Sequence, residues 1–206
     1  MNSEFMAVKK IKVALDVDYT IANIIEPMLE LHNKVNQTNF NEEDINSWSW
    51  SESLGISEEN ANKLYVNAWI DMSNKINFMA DTKLLLELEK YYDIEIVTNR
   101  GNHLENEKTV EPLKRWLKKH GLGGFKLIIN DVDRDKSTLD YDIYIDDSPA
   151  LAESISKMKN KTLFLINATY NRHVKDSENI IRVADVNESL SRLINIANSK
   201  SALKYE

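Results

Sequence analysis

Short apolar segments alternate with helical segments along most of this sequence, and this alternation limits the possible folds more than any other feature. Six segments have the length and β-branched content of buried strands: Ile11–Asp16, Ile94–Thr98, Phe125–Ile129, Tyr141–Ile145, Thr162–Ile166 and Ile180–Val183. The segments with helical spacing of apolar residues are Ile24–Val35, Ala61–Met72, Asp81–Tyr91, Glu105–His120, Pro149–Lys159 and Val186–Ala197. Strands that alternate with helices predict an α/β fold, in which helices cover both faces of a parallel sheet.

One stretch, residues 23–80, interrupts this alternation directly after the first strand. It has helical segments and no convincing strand, so we interpret it as a small helical cap inserted into the chain. A chain of 206 residues has the length of one domain with such an insert. We predict a core formed by residues 6–22 and 81–200, a cap at 23–80, and flexible tails at 1–5 and 201–206.

Composition and charge exclude several classes of protein. The formal net charge is −7 and no long run of Lys and Arg occurs, so nucleic-acid polymers and anionic membranes are poor partners. The absence of cysteine excludes disulfides, thiolate catalysis and cysteine-ligated metal sites. No apolar run approaches the roughly 18 residues of a membrane span, and the N-terminus lacks the apolar region of a signal peptide. We expect a cytoplasmic protein that is a monomer or a homodimer.

Polar and charged residues follow or precede the predicted strands, at the sheet edge where α/β proteins bind their ligands. They are Asp16, Asp18, Thr98, Asn99, Arg134, Lys136, Asp146 and Asp147. Carboxylates that meet in one crevice repel each other, and a divalent cation compensates for their charge. Oxygen ligands without cysteine or a histidine cluster favour Mg²⁺. A threonine hydroxyl and a lysine ammonium at the same edge would suit the oxygens of a phosphoryl group.

In their order along the chain, these residues resemble the four motifs of the haloacid dehalogenase superfamily of phosphotransferases. The first motif corresponds to Asp16-Val17-Asp18-Tyr19-Thr20, the second to Thr98, the third to Lys136 and the fourth to Asp146-Asp147. The resemblance implies a three-layer Rossmann-like core with a parallel sheet and a small helical cap inserted after the first strand. It also implies a Mg²⁺-dependent phosphomonoesterase that works through an aspartyl-phosphate intermediate.

The resemblance also implies a role for each motif residue. Asp16 would be the nucleophile, and Asp18 would protonate the leaving group and then deprotonate the attacking water. The residues that bind the phosphoryl group would be Thr98, Asn99 and Lys136. The Mg²⁺ ligands would be Asp16, Asp18 through its backbone carbonyl, Asp146 and Asp147.

A narrower resemblance concerns the 5′(3′)-deoxyribonucleotidase branch of the superfamily. Four features are similar to that branch: Arg134-Asp135-Lys136, the ten residues from Lys136 to Asp146, the small cap after the first motif, and Tyr170-Asn171-Arg172. This resemblance implies a deoxyribonucleoside monophosphate as the substrate. The sequence departs from the branch at three positions that usually hold a small residue, a serine and, in some members, an arginine: Tyr19, Asn99 and Ser148.

The identity of the substrate stays open at this level. The aromatic residues Trp48, Trp69 and Phe78 lie in the insertion, where they either form its core or stack on a nucleotide base, and Arg134 is a further substrate candidate. The same chemistry would serve a sugar phosphate or another small phosphorylated metabolite. A phosphatase of nucleic-acid ends would need a basic track, which the sequence lacks. A non-catalytic phosphate-binding module is the remaining alternative, and the complete motif set argues against it.

Overall fold

The computed structural model describes residues 10–101 and 107–202. The strands, in chain order, are β1 Ile11–Leu15, β2 Ala22–Asn23, β3 Asn77–Phe78, β4 Tyr92–Gly101, β5 Lys126–Asp131, β6 Ile143–Asp146, β7 Thr162–Ile166 and β8 Ile180–Val183. The helices are α1 Ile25–Asn36, α2 Trp50–Leu54, α3 Glu58–Asp71, α4 Thr82–Leu88, α5 Val110–Lys119, α6 Pro149–Ser156 and α7 Val186–Ala202. Within the described ranges, no helix combines the length and the apolar character that crossing a membrane requires.

The core is a six-stranded parallel sheet with the strand order β5-β4-β1-β6-β7-β8. This confirms the predicted α/β fold. The central strand β1 pairs with β4 on one side and β6 on the other, and Leu15 lies opposite both Ile96 and Ile145. The carboxyl ends of these three strands therefore meet at one edge, where open α/β sheets bind their ligands.

Helices cover both faces of this sheet because successive side chains of a strand point in opposite directions. Val13 and Leu15 of β1 belong to a buried hydrophobic cluster that includes residues of α4, α5 and α7. Ala14, between them, belongs to a second cluster with Leu151 and Ile155 of α6. The protein thus has the predicted three layers, with β1 fully covered at its centre.

Several element boundaries differ from the prediction. Helix α5 begins at Val110, which places Pro112 in its first turn, where the missing backbone N–H of proline costs no helical hydrogen bond. Residues 105 and 106 of the predicted helix lie outside the described ranges. The same holds for the predicted tail 1–5, for the core residues 6–9 and for residues 203–206.

We call residues 23–80 the cap segment. The prediction that it contains no strand was wrong, because Asn77–Phe78 pairs antiparallel with Ala22–Asn23 where the chain leaves and re-enters the core. Strands of two residues are too short to show an alternating pattern in the sequence. Helix α2 was also missed, for the same reason of length, although Ser49 caps its first turn by accepting the N–H of Glu52.

The cap segment packs against the core through a third hydrophobic cluster. Ile25 and Leu29 of α1 contribute to it together with Ile45 and Leu54, and Tyr170 contributes from the core turn after β7. Helix α3 lies against α1 and contributes the fully buried Trp69, whose ring meets that of Trp116 in α5 edge to face at 5.8 Å. These contacts hold the cap segment over the carboxyl ends of the strands.

Candidate active site

Three carboxylates meet at the carboxyl ends of the two neighbouring strands β1 and β6. Asp16 directly follows β1, and its backbone N–H donates to the carbonyl of Ile145 at 3.0 Å. Asp146 is the last residue of β6, and Asp147 follows it. One carboxylate oxygen from each aspartate lies within 4.8 Å of the others, and all three residues are buried. The structure thus brings together the first and fourth motifs of the sequence.

The ammonium group of Lys136 bridges two of these carboxylates. Its Nζ donates to Asp16 Oδ1 at 2.6 Å and to Asp146 Oδ2 at 2.7 Å. Burial alone would lower the pKa of Lys136, but Asp146 and Asp16 outweigh this effect and raise it above its usual value. The short 3₁₀ turn Lys136–Thr138 fixes the backbone, because the Asp135 side chain accepts the N–H of Ser137 at 2.8 Å.

Burial and mutual repulsion disfavour the ionised forms of two of the three carboxylates. Burial raises the pKa of Asp16 to about 7, and Asp146 and Asp18 add to this rise while Lys136 opposes it. Burial also raises the pKa of Asp147 well above its usual value, with further contributions from Asp146 and Asp16. A hard divalent cation would favour the ionised forms of these buried carboxylates, and Mg²⁺ binds one or two carboxylates while keeping waters.

The second motif lies at the end of β4, on the other side of β1. Thr98 is buried, and its Oγ1 accepts a hydrogen bond from Arg100 Nε at 3.2 Å. The side-chain oxygen of Asn99 accepts from Asn130 Nδ2 at 2.9 Å, which fixes the amide against β5. Both residues line the same cavity as the carboxylates, so the predicted phosphate-binding residues Thr98, Asn99 and Lys136 converge on one place.

The side chain of Asp18 lies apart from the three grouped carboxylates. It accepts hydrogen bonds from Arg100 at the end of β4 and from Tyr65 and Trp69 of α3. It is not part of the group of carboxylates that could hold a metal ion among the described residues. The predicted metal role of Asp18 therefore depends on its backbone carbonyl.

Arg100 and Tyr65 are site residues that the sequence prediction missed. A signal for each was present in the sequence. Arg100 follows Thr98-Asn99 directly after a buried strand, where a charged residue needs a partner. Tyr65 precedes Trp69 by four residues in a helix, and this spacing places both on one helical face.

Tyr19, one of the departures from the related branch, has an unusual backbone conformation. Its φ of 58° lies in the left-handed region, which favours glycine because a Cβ is disfavoured there. The ring of Tyr19 lies 5.7 Å from that of Tyr170, and its hydroxyl donates to Glu42. Tyr19 also forms part of the cavity wall.

A cavity of about 840 Å³ lies between the strand ends and the cap segment. Two of the predicted substrate residues line it. Trp48 is 50% exposed and stands edge to face with Tyr170 at 5.5 Å, and Arg134 is exposed at the core side of the opening. The cavity therefore has the three carboxylates at one end and an accessible indole ring in its wall.

The structure places the other two predicted substrate residues elsewhere. Trp69 is completely buried and does not line the cavity, and its indole N–H donates to Asp18. Phe78 stacks on His120 with a centroid distance of 4.9 Å and packs against Trp116. Neither residue borders the cavity, because their neighbours in the fold cover them, so neither is placed to contact a substrate there.

The match to known families covers most of the chain. Residues 9–197 match the family described as 5′ nucleotidase, deoxy (Pyrimidine), cytosolic type C protein. The chain belongs to this family. This confirms the resemblance read from the motifs, and it makes the protein a phosphoric monoester hydrolase of the haloacid dehalogenase superfamily. A search among curated proteins finds no match.

Solved structures share the fold at low sequence identity. A protein described as a predicted phosphatase from Clostridium acetobutylicum has a TM-score of 0.58 and 15% identity, covering 91% of this chain and 100% of its own. CbbY from Rhodobacter sphaeroides, solved in complex with phosphate, has a TM-score of 0.56 and 13% identity, covering 87% and 96%. YfnB from Bacillus subtilis, described as a HAD-hydrolase and solved bound to magnesium, has a TM-score of 0.51 and 14% identity, covering 91% and 100%.

Proposed function

We propose that this family member is a Mg²⁺-dependent phosphatase of deoxyribonucleoside monophosphates that forms an aspartyl-phosphate on Asp16. The observation that carries the proposal is the position of Lys136. It bridges Asp16 and Asp146 at the end of a cavity that has aromatic side chains in its wall. Membership of the family described as 5′ nucleotidase, deoxy (Pyrimidine), cytosolic type C protein supports the substrate class.

The residues at the strand ends suit the transfer of a phosphoryl group. An oxygen of Asp16 would attack the phosphorus atom, because this buried carboxylate borders the cavity. Lys136 and Thr98 would bind the phosphoryl oxygens through the ammonium and the hydroxyl. Mg²⁺, held by Asp16, Asp146 and Asp147, would supply positive charge to those oxygens.

Asp18 would move the proton that this reaction requires. The bond from phosphorus to the leaving oxygen breaks as Asp16 attacks, and Asp18 would protonate that oxygen. In the second step a water would attack the phosphorus of the aspartyl-phosphate, Asp18 would take its proton, and the phosphorus–oxygen bond to Asp16 would break. Asp18 borders the same cavity as Asp16 and lies two residues from it, which supports both steps.

The cavity walls support a substrate with a flat ring. Ligand sites typically have volumes of roughly 300–1,000 Å³, and this cavity falls in that range. Trp48, Tyr65 and Tyr19 contribute aromatic surface, and Met28 contributes a thioether that packs well against rings. A nucleotide would place its phosphate at the carboxylates and its base against this wall.

Release of inorganic phosphate from a substrate panel tests the proposal. The panel contains deoxynucleoside 5′- and 3′-monophosphates, ribonucleotides, sugar phosphates and p-nitrophenyl phosphate, each assayed with Mg²⁺ and with EDTA. We expect Mg²⁺-dependent release that is fastest with deoxynucleotides. Equal release with EDTA would overturn the metal assignment.

A sugar phosphate is the second candidate, and one observation favours it. Ser49, Glu58 and Asn62 of the cap segment add polar groups to the cavity wall, and such groups bind sugar hydroxyls. In this case the panel would show release mainly from sugar phosphates. Release from none of the compounds would favour a phosphate-binding module without catalytic activity.

A further inference from the structure

Strands β4 and β5 place two asparagines directly opposite each other at the edge of the sheet that carries the site. Asn99 pairs with Asn130 in the parallel ladder, and the register shifts immediately after this pair. Directly paired residues of neighbouring strands point to the same face, so the two side chains can reach each other. Asn130 is only 3% exposed, whereas Asn99 is exposed and borders the cavity. One amide thus lies inside the protein, and the other belongs to the cavity wall.

The backbone determines which end of the Asn130 amide faces its neighbours. Its Nδ2 donates to the carbonyl oxygens of Arg134 at 2.8 Å and of Asp131 at 3.1 Å. A carbonyl oxygen only accepts hydrogen bonds, so the amino end of Asn130 has to point toward these two groups. The reverse orientation would bury an amide oxygen against two carbonyl oxygens, which is costly.

The orientation of Asn130 also determines that of Asn99. The same Nδ2 of Asn130 donates to Asn99 Oδ1 at 2.9 Å. If the amide of Asn99 were reversed, two amino groups would face each other with no acceptor between them. The oxygen of Asn99 therefore faces Asn130, and its amino group points elsewhere. Within residues 10–101 and 107–202, no group accepts a hydrogen bond from this amino group.

Asn99 lines the part of the cavity that also contains Thr98 and Lys136. The oxygens of an ionised phosphoryl group accept hydrogen bonds and do not donate them. An N–H group in the wall is favourable for such a group, and an amide oxygen at the same place would repel it. The orientation of the Asn99 amide therefore decides whether this residue attracts or repels phosphate.

We propose that Asn130 is a positioning residue that orients the amide of Asn99, so that the Asn99 amino group donates to a phosphoryl oxygen of the substrate. This inference deepens the proposed function and rests on it. Asn130 does not border the cavity, so its effect on the substrate is exerted through Asn99.

A role in the backbone alone is the competing explanation. Asn130 also binds the carbonyls of Asp131 and Arg134, which lie in the turn that leads to Lys136. If this is its only role, loss of Asn130 shifts Lys136 and weakens phosphate binding whether or not residue 99 is an asparagine. A positioning role predicts that the loss disappears once Asn99 has been replaced. A double-mutant cycle separates the two explanations.

The experiment measures the dissociation constant of inorganic phosphate by isothermal titration calorimetry at saturating Mg²⁺. The proteins are the wild type, Asn99→Ala, Asn130→Ala and the double variant. KM and kcat for the best substrate of the panel are measured on the same four proteins, so the comparison does not depend on the affinity for free phosphate alone.

Asn179→Ala is the matched control. Asn179 also donates through Nδ2 to two backbone carbonyls, those of Ile155 and Met158, but it does not line the cavity. Thermal melting identifies any variant that fails to fold. If Asn130→Ala does so, Asn130→Ser replaces it in the cycle, because a serine hydroxyl can still donate to a neighbouring carbonyl.

We expect Asn99→Ala to weaken phosphate binding about 10-fold, since it removes one hydrogen bond to a charged group. Asn130→Ala should weaken it about 3-fold to 10-fold when Asn99 is present, and less than about 2-fold in the Asn99→Ala background. KM should follow the same pattern with a smaller change in kcat, and the control should alter neither.

Equal losses from Asn130→Ala in both backgrounds, or no loss in either, would overturn the positioning role while leaving the phosphatase in place. If the wild-type protein neither binds phosphate nor releases it from any compound of the panel, the proposed function fails, and the inference fails with it.

Discussion

The strand-end residues and the cap segment are held in place by different kinds of contact. Asp16 and Asp146 belong to neighbouring strands that are joined by backbone hydrogen bonds, so their spacing follows from the sheet register. The cap segment meets the core through side chains, among them Thr169, which donates to the Ile45 carbonyl, and Arg172, which pairs with Glu43 at 3.0 Å. Both partners of that ion pair are more than half exposed.

Because of this difference, we expect substitutions in the two regions to affect different properties of the enzyme. Backbone hydrogen bonds between strands do not depend on side-chain identity, so the distance between Asp16 and Asp146 withstands changes elsewhere in the sequence. Exposed ion pairs contribute only about 0–1 kcal/mol, so the contact between Arg172 and Glu43 can be lost at little cost. We expect substitutions at the strand ends to affect the rate and substitutions in the cap wall to affect binding.

The largest expected effect is that of Asp16→Asn. An amide cannot form the aspartyl-phosphate, so we expect turnover to fall on the order of 10⁴-fold or more while the fold is retained. Phosphate release and thermal melting measure the two properties separately. Activity near that of the wild-type protein would remove Asp16 from the role of nucleophile.

A smaller effect is expected from Trp48→Ala in the cap wall. Stacking of a base on an aromatic ring is worth about 1–3 kcal/mol, so we expect KM for a deoxynucleotide to rise about 10-fold while kcat changes little. Ile70→Ala is the matched control, because Ile70 is an exposed apolar residue of the cap segment outside the cavity wall. A change in kcat without a change in KM would mean that the cap wall does not act through binding.

The smallest effect concerns stability and pH. The pKa of Asp16 is raised from 3.8 to about 7 by burial, so ionisation of this group opposes folding as the pH rises through that interval. Mg²⁺ binds the ionised form, and its stabilisation should therefore be larger near pH 8 than near pH 5.5. At ten times its Kd a ligand adds about 1.4 kcal/mol, or about 3–6 °C in Tm for a chain of this size.

Asp146→Asn serves as the control for this measurement, because it removes one of the three carboxylates. We expect Mg²⁺ to raise the Tm of the wild-type protein and to have a smaller effect on this variant. An equal rise in both proteins, or a larger rise near pH 5.5 in the wild type, would contradict a metal site at these carboxylates.

The sequence predicted the strands of the core, and the residues at their ends, better than the elements of the cap segment. Ile180–Val183 and Thr162–Ile166 were predicted with the bounds that the structure has, because buried parallel strands are short apolar runs. The hairpin of β2 and β3 and the helix α2 were missed because segments of two to five residues are too short to show a hydrophobic periodicity. The role of Phe78 stayed open between the core and the substrate, because aromatic content does not reveal which residue a ring will pack against, and here it stacks on His120.

The hydrogen-bond partners of Asp18 are a further feature that the sequence could not predict. The motif predicted that Asp18 belongs to the site, but its partners come from residues 47 to 82 positions further along the chain. Only the path of the chain through the cap segment brings Tyr65 and Trp69 to it. Local sequence patterns therefore identify the reactive groups, and the tertiary fold determines the direction in which they point.

The short hairpin at the base of the cap segment has a consequence for how this architecture can be altered. Ala22 and Phe78 are directly paired in antiparallel strands, so the two ends of the inserted segment lie side by side. To the remaining chain, everything between them is equivalent to a long surface loop. An unrelated segment with equally close ends could be grafted at this junction, which offers a route to new substrate ranges on an unchanged reactive centre.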